Sequence, residues 1–433
     1  MTATALHRAV WRWHFYAGLV VLPFLLWLAV TGGLYLYKPE IERAVYGRWS
    51  VVAPIGKPLP LDRLIGTVEA ESGATVVSIA RPADSHASWR ITLANADAVR
   101  RLAFVDPYRA VVLGTTTDGG IMRTVRDLHS LIVAGPIGNA LIEIVAGWTV
   151  LLVLTGLYLW WPHGSAPALG VRGPPRSRTF WRDLHASTGI VAGAVVLFLA
   201  ATGMPWTGVA GKQLQTWVAV SGLGRPKVPG PALRESAKGH DHGAKAVLAW
   251  ALQEAKPPAG KGTGNIGAAA VERIAAAHGL HAPWTMTLPA AADAPYLVTP
   301  IAARAEQARA LYIEASSGRV LQDARYASFG AGARAIEWSI AVHQGQEYGE
   351  PNRLLMLAGC IAIVVLAVSA PVMWWKRRRP RRIDAPPRTA DRRGARGLAL
   401  LMLGGGALFP LTGVSIALVL AGDLIGRRVV RRG

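Results

Sequence analysis

One cysteine, Cys360, stands in a chain of 433 residues. A single thiol excludes an internal disulfide, a covalent CxxCH cofactor attachment and an all-cysteine metal cluster. Charge is scarce as well, at 17% of residues, and acidic residues are the scarcer sign, 26 against 47 basic. No GxGxxG follows a strand pattern and no GxxxxGKS/T occurs, so no nicotinamide, flavin or ATP site is visible. No Ser-His-Asp grouping sits on a recognisable elbow, so no hydrolase site is visible.

What the chain has instead is apolar bulk. Hydrophobic residues reach 52%, mean hydropathy is +0.29, and the 16 Trp outnumber the 10 Tyr and the 7 Phe. A soluble chain this apolar could not cover its own surface, so the composition reads as a membrane protein in contact with the lipid bilayer. A span needs roughly 20 apolar residues in helix. Phe15–Tyr37, Asn139–Trp161, Ile190–Trp206 with the turn before it, and Leu354–Trp375 meet that length. Leu398–Ala421 is a fifth stretch, interrupted by Gly404-Gly405-Gly406 and Pro410, which leaves a kinked span and a re-entrant hairpin both open. The first stretch is too long for a signal peptide and lacks a small-x-small cleavage site, so it reads as an uncleaved anchor.

The basic residues orient the spans. Arg8 and Arg12 precede the first. Arg172, Arg176, Arg178 and Arg182 crowd the loop at 164–184, and Lys376-Arg377-Arg378-Arg379 opens the loop at 376–397. By contrast Pro39–Val125 balances ten basic with nine acidic residues. The N-terminus and both basic loops are therefore expected in the cytoplasm, with 39–125 and 207–340 outside. The tail Arg427-Arg428…Arg431-Arg432 dissents, because a simple fifth span would put it outside. The net charge of +21 thus has a topological explanation, and short basic loops without interleaved aromatics argue against nucleic acid.

Each external segment reads as a small α+β module. Helical spacing over Leu61–Glu71 precedes alternating runs at Thr75–Ala80, Ser88–Leu93, Arg101–Val105 and Ala110–Leu113. In the second segment Ala268–Ala277 reads as helix. Trp284–Leu288, Tyr296–Pro300, Ala310–Glu314 and Arg319–Gln322 read as strands, after a loop-rich insertion at 221–264.

An internal repeat organises the rest. His14 is followed by Gly18 at four residues and Thr31-Gly32 at 17; His185 is followed by Gly189 at four and Thr202-Gly203 at 17. Trp160-Trp161 begins 31 residues after His129, as Trp374-Trp375 does after His343, with Thr155 and Ser369 both at offset 26. The chain reads as two parallel copies, 7–163 and 178–378, related by a pseudo-twofold axis along the membrane normal. The expected domains are spans within 1–38, 126–163, 185–206 and 341–375, joined by the external modules and basic loops, with 398–433 as a C-terminal membrane segment. The fold class is a mainly α membrane protein: duplicated two-helix units forming a four-helix transmembrane bundle plus a fifth C-terminal membrane helix.

That symmetry gives the histidines a chemical meaning. His14 and His185 become mates at the cytoplasmic ends of their helices, and His129 and His343 become mates on the external side. A planar macrocycle lying across the axis can receive one imidazole on each face, as bis-histidine haem iron requires. A lone histidine at a membrane boundary is an interfacial residue more often than a ligand. Four at matched offsets, in copies that otherwise share little, form two pairs at two depths. The 31-residue stretches after His129 and His343 would make helices of about 46 Å, too long for a bilayer. Gly135-Pro136 and Gly349-Glu350-Pro351 break them, placing these histidines on short external helices.

Weaker candidates remain. His240-Asp241-His242 offers two ligands on a loop. His278 and His281 flank a helix end, where a cation is ordinary. His7 and His163 read as boundary anchors, and the Trp160-Trp161 and Trp374-Trp375 pairs as interfacial belts. Glu143 within a span is costly unless it relays protons, approaches a cofactor or meets a polar neighbour, and these stay open.

Arg12-Trp13-His14 through Thr31-Gly32, Leu128-His129 through Trp160-Trp161-Pro162, Leu184-His185 through Thr202-Gly203, and His343 through Trp374-Trp375-Lys376-Arg377 resemble the PepSY-associated transmembrane helix family. Phe409-Pro410-Leu411-Thr412-Gly413 with Asp423 is similar to its C-terminal signature. Members are bacterial inner-membrane proteins, often iron-regulated, and the better understood ones resemble di-haem reductases that release iron from ferric siderophores in the periplasm. The resemblance implies PepSY-like external modules, two haem b, and His14, His129, His185 and His343 as their axial ligands. It implies a ferric siderophore or other ferric chelate as acceptor, and a cytoplasmic reductase or membrane quinol as donor. A non-redox regulator that binds an external peptidase, and a cytochrome feeding another periplasmic protein, are the alternatives.

Overall fold

The computed structural model describes residues 3–161, 169–224, 248–253, 257–378, 402, 404, 406 and 409–430. His163, His240-Asp241-His242 and most of the second basic loop lie outside the described residues. The described chain divides into two compact units: Met1–Leu36, Val125–Thr216 and His343–Gly433 form one, Tyr37–Thr124 and Trp217–Val342 the other.

The first unit is helical. Its long members are α1 (Ala3–Leu36), α5 (Gly135–Trp160), α6 (Arg178–Gly203) and α10 (Glu350–Arg377). All four contain stretches long and apolar enough to cross a membrane, with mean hydropathy between 1.9 and 2.6. The breaks expected before the second and fourth spans are real: Pro136 and Pro351 sit in the first turns of α5 and α10, where a missing N–H costs nothing. Ser177 caps α6 by accepting from Phe180 N at 3.1 Å. Large aliphatic side chains such as Val20, Val191, Leu355 and Ile361 point outward and are more than half exposed, an arrangement suited to a lipid surround.

α1 packs against α5 and α10, and α6 packs against the same two helices, so α1 and α6 occupy opposite corners of a four-helix ring. Ala29, Val196 and Ile363, with Leu25, Val153 and Leu199 around them, form an apolar layer inside that ring. The C-terminal helix α11 (Pro410–Val430) packs on α5. Gly147 admits it closely: a Cβ there would lie 2.0 Å from Thr412 Oγ1. Trp148 Nε1 donates to Ser415 Oγ at 2.9 Å, and Ile416 is buried in the same cluster. Pro410 begins this helix and does not kink it, and its apolar part, Pro410–Gly422, is shorter than the four spans.

The second unit corrects one expectation. Segments 39–125 and 207–340 do not make two separate modules. Their strands are β1 (Thr75–Arg81), β2 (Trp89–Ala94), β3 (Arg100–Asp106), β4 (Val111–Thr117), β5 (Trp284–Thr287), β6 (Tyr296–Pro300), β7 (Arg309–Ile313) and β8 (Val320–Arg325). They form one antiparallel sheet in the order β4-β3-β2-β1-β5-β6-β7-β8. Each half is a four-stranded meander, and the halves join where β1 and β5 pair, Ile79 opposite Met286 and Ala80 opposite Thr285. Each would otherwise present an unpaired edge of N–H and C=O groups, so the pairing removes two exposed edges at once.

Two helices, α3 (Leu61–Ser72) and α8 (Ala268–Ala277), supply Leu61, Leu64, Val68, Val271 and Ala275 to one shared core with Ile79, Ile91, Met286 and Ile313. Asp62 of α3 caps α8, accepting from Ala268 N at 2.6 Å and Ala269 N at 3.3 Å. An aspartate at a helix N-terminus satisfies orphan donors and opposes the helix dipole. Asp62→Ala is therefore expected to destabilise this unit by about 1 kcal/mol, and an unchanged denaturation midpoint would show the cap to be idle.

Candidate functional site

His14 lies on α1 and His185 on α6, the two helices at opposite corners of the ring. Their ring centres are 6.5 Å apart with planes at 88°. His14 Nδ1 is 2.9 Å from Thr155 Oγ1 on α5, and His185 Nδ1 is 2.9 Å from Ser369 Oγ on α10. Each histidine of this pair therefore leans on a different neighbouring helix.

The second pair is built from shorter elements. His129 is the last residue of α4 (Gly120–His129), and His343 is the last residue of α9 (Ala331–His343). Thr31 Oγ1 stands 2.9 Å from His129 Nδ1, and Thr202 Oγ1 stands 2.7 Å from His343 Nδ1. Trp27 Nε1 also donates to Leu128 O at 2.8 Å, tying α1 to the end of α4. Burial pushes both imidazoles down to about 4, and for His343 the proximity of His129 pushes the same way. Both are thus neutral across the physiological range, with a lone pair to offer. From His14 to Thr31, and from His185 to Thr202, 17 residues of helix separate the two pairs by about 25 Å.

The hydroxyls decide which nitrogen carries the proton. Thr31, Thr155 and Thr202 donate to the carbonyls of Trp27, Leu151 and Phe198 at 2.6–2.7 Å, and Ser369 donates to Leu366 O at 3.2 Å. With their protons committed, these oxygens accept from Nδ1–H. For His129 and His185 the carbonyls of Leu28 and Leu366 accept too, and a carbonyl does nothing else. All four histidines thus turn Nδ1 to a hydroxyl and leave Nε2 as the nitrogen for a ligand, the arrangement in which an outer partner orients a metal-binding imidazole. The four hydroxyls were marked in the sequence only as repeat positions, and their matched offsets were the signal. Glycine neighbours leave room: a Cβ at Gly32 would lie 3.1 Å from His129 Cε1, and one at Gly156 3.3 Å from His14 Cε1.

Glu143, His278 and His7 each have a neighbour of their own. Glu143, fully buried on α5, accepts from Val209 N and Ala210 N at 3.1 Å each. It thereby caps the start of α7 (Ala210–Val220), which is the polar-neighbour reading. His278 Nδ1 bonds Ile274 O at the end of α8, and the His7 ring lies 6.3 Å from that of Tyr158. Within the loop-rich insertion, Trp250, Ala251 and Leu252 form a buried 3-10 turn.

Among the described residues no three His, Cys, Asp or Glu side chains converge on a metal position. Two-ligand sites suit a metal that brings its own equatorial donors. Two imidazole–metal bonds of about 2.0–2.1 Å, with half a ring at either end, put ring centres about 6.4 Å apart, which the His14–His185 separation of 6.5 Å matches. The family described as the PepSY-associated TM region matches residues 11–377, which includes all four histidines, the sheet unit and the four long helices from residue 11 onward. The match stops before Phe409-Pro410-Leu411-Thr412-Gly413. The sequence matches no curated protein.

Proposed function

The chain belongs to the family of PepSY-associated TM regions, and from that premise we propose that it carries electrons across the bacterial inner membrane to reduce an external ferric chelate. Its four spans and its family make it a multi-pass membrane protein. The proposal adds two haem b, one between His14 and His185 and one between His129 and His343, in a bundle of two duplicated helix pairs. The observation that carries it is the ring separation of 6.5 Å between His14 and His185, with Nδ1 of each committed to a hydroxyl.

Bound there, haem would supply reversible one-electron iron chemistry that no side chain of this protein offers. The protein's own contribution is positional. Four neutral imidazoles present Nε2, four hydroxyls orient them, and the layer around Ala29, Val196 and Ile363 keeps water from the space between the pairs. Basic residues at the ends of α1, α6 and α10 support a cytoplasmic N-terminus, which puts the His129–His343 pair and the eight-stranded sheet on the periplasmic side. The substrate class follows from coordination chemistry: hard oxygen chelators hold Fe(II) far less tightly than Fe(III), so adding one electron frees the metal. A ferric siderophore is such a chelate, and iron acquisition is the role. The electron enters from a cytoplasmic reductase or from membrane quinol.

An optical spectrum with a pyridine haemochrome count tests the cofactor, and Fe(II) trapping from a ferric hydroxamate tests the substrate. Two low-spin b-type haems per chain and chelate reduction by the dithionite-reduced protein are expected. A colourless protein from haem-replete cells would refute the reading and favour a non-redox regulator. Two haems without chelate reduction would point to a cytochrome serving another periplasmic protein.

A further inference from the structure

The torsion that turns an imidazole about its Cβ–Cγ bond is broad and roughly two-fold, so a histidine's ring plane is set by what its nitrogens touch. For His14 that contact is Thr155 Oγ1 on α5, and for His185 it is Ser369 Oγ together with the Leu366 carbonyl, both on α10. Because α5 and α10 stand at the other two corners of the ring, the two hydroxyls pull the two imidazoles toward different azimuths. The planes stand at 88°. We propose that Thr155 and Ser369 are positioning residues that hold the His14 and His185 planes at right angles across a shared iron, giving this haem an electronic structure set by its two outer hydroxyls. The inference rests on the haem reading above and assigns a property to one of its two sites.

The consequence is a matter of ligand-field symmetry. Two parallel imidazole planes act on the same iron d orbital and separate it from its partner. Two perpendicular planes act on one orbital each and leave the pair nearly degenerate. In the low-spin ferric state, near-degeneracy produces a strongly anisotropic resonance with its largest g value far above that of an ordinary rhombic centre. The ferrous state is favoured as well, so the potential rises. Ser369 is the more sensitive lever. Its hydroxyl reaches its own helix only at 3.2 Å, where the three threonines bond theirs at 2.6–2.7 Å.

The test uses the full-length, haem-loaded protein in nanodiscs, read by low-temperature paramagnetic resonance of the ferric form and by potentiometric titration. Wild type should show one strongly anisotropic low-spin signal. Ser369→Ala and Thr155→Val should move that signal toward a rhombic one and lower the potential of that haem alone. Ser369→Thr should keep the wild-type spectrum, because it keeps the hydroxyl. Thr31→Val and Thr202→Val should leave this signal where it is, since they serve the other pair. Two haems bound with no such signal in wild type, or a signal unmoved in Ser369→Ala, would overturn the proposal while leaving the cofactor reading intact. A wild-type protein that binds no haem would overturn both.

Discussion

Replacing His129 or His343 with alanine is expected to remove one of two haems and to slow external ferric-chelate reduction by more than about a hundredfold. Loss of a metal ligand should exceed the 10–100-fold that loss of an outer-shell partner costs. The His14–His185 pair stands about 25 Å away along α1 and α6, with its own hydroxyl partners on α5 and α10. It should keep its haem and still be reduced by dithionite. Each of His129 and His343 closes a short helix and is held by a threonine on a long one, so alanine removes the proposed ligand together with that hydrogen bond, while Trp27 Nε1 still ties α1 to the end of α4 through Leu128 O. Haem content, reduced spectrum and Fe(II) release, measured on the same preparations, separate ligand loss from misfolding. Reduction at the wild-type rate in both variants would sink the ligand assignment.

Stability of the sheet unit should fall as pH rises from about 4.5 to beyond 7, and Glu337 is the cause. The carboxyl is buried on α9 and accepts from Ala251 N at 2.9 Å, and burial pushes it up from 4.5 to about 7. The native state therefore binds this proton more tightly than the unfolded chain does. Its stabilisation is complete below the unfolded value and is lost as pH climbs through the folded one. A gap from 4.5 to about 7 corresponds to about 3 kcal/mol at 1.36 kcal/mol per unit. Asp323 shifts the opposite way, held below the usual carboxylate range by Arg309 and Arg325 despite its partial burial, so the whole-protein profile mixes both signs. The comparison with Glu337→Gln isolates the effect, because glutamine still accepts from Ala251 N and carries no charge. Unfolding monitored at pH 5 and pH 8 should show the variant gaining about 3 kcal/mol on wild type at the higher pH. Parallel profiles for the two proteins would refute the assignment.

Much of this protein can be read from its residues in order, because the forces involved are local. Each of the four spans carries a long apolar run, so its place needs no knowledge of its neighbours. Alternation placed β1 through β8 within a few residues, and spacing placed α3 and α8, because burial on one side imposes a period of two or 3.6. Gly135-Pro136 and Gly349-Glu350-Pro351 announced where α5 and α10 begin. The repeated offsets of 17, 26 and 31 residues singled out the four histidines and, unrecognised, their four hydroxyl partners.

What only the tertiary structure decided is everything that depends on which surfaces meet. That β1 pairs with β5 follows from two edges about 200 residues apart finding one another, and nothing in either strand names its partner. Asp62 looks like an ordinary first-turn aspartate of α3 until the N-terminus of α8 is laid beside it. Glu143 is costly within a span when read in sequence, but the N–H groups from which it accepts, like the one from which Glu337 accepts, belong to distant segments. The Nδ1 of each histidine meets a hydroxyl 98 to 184 residues away. The residues that pack against a helix or a strand are chosen by the fold as a whole, so the chain alone singled out four histidines and the fold gave each of them its hydroxyl neighbour.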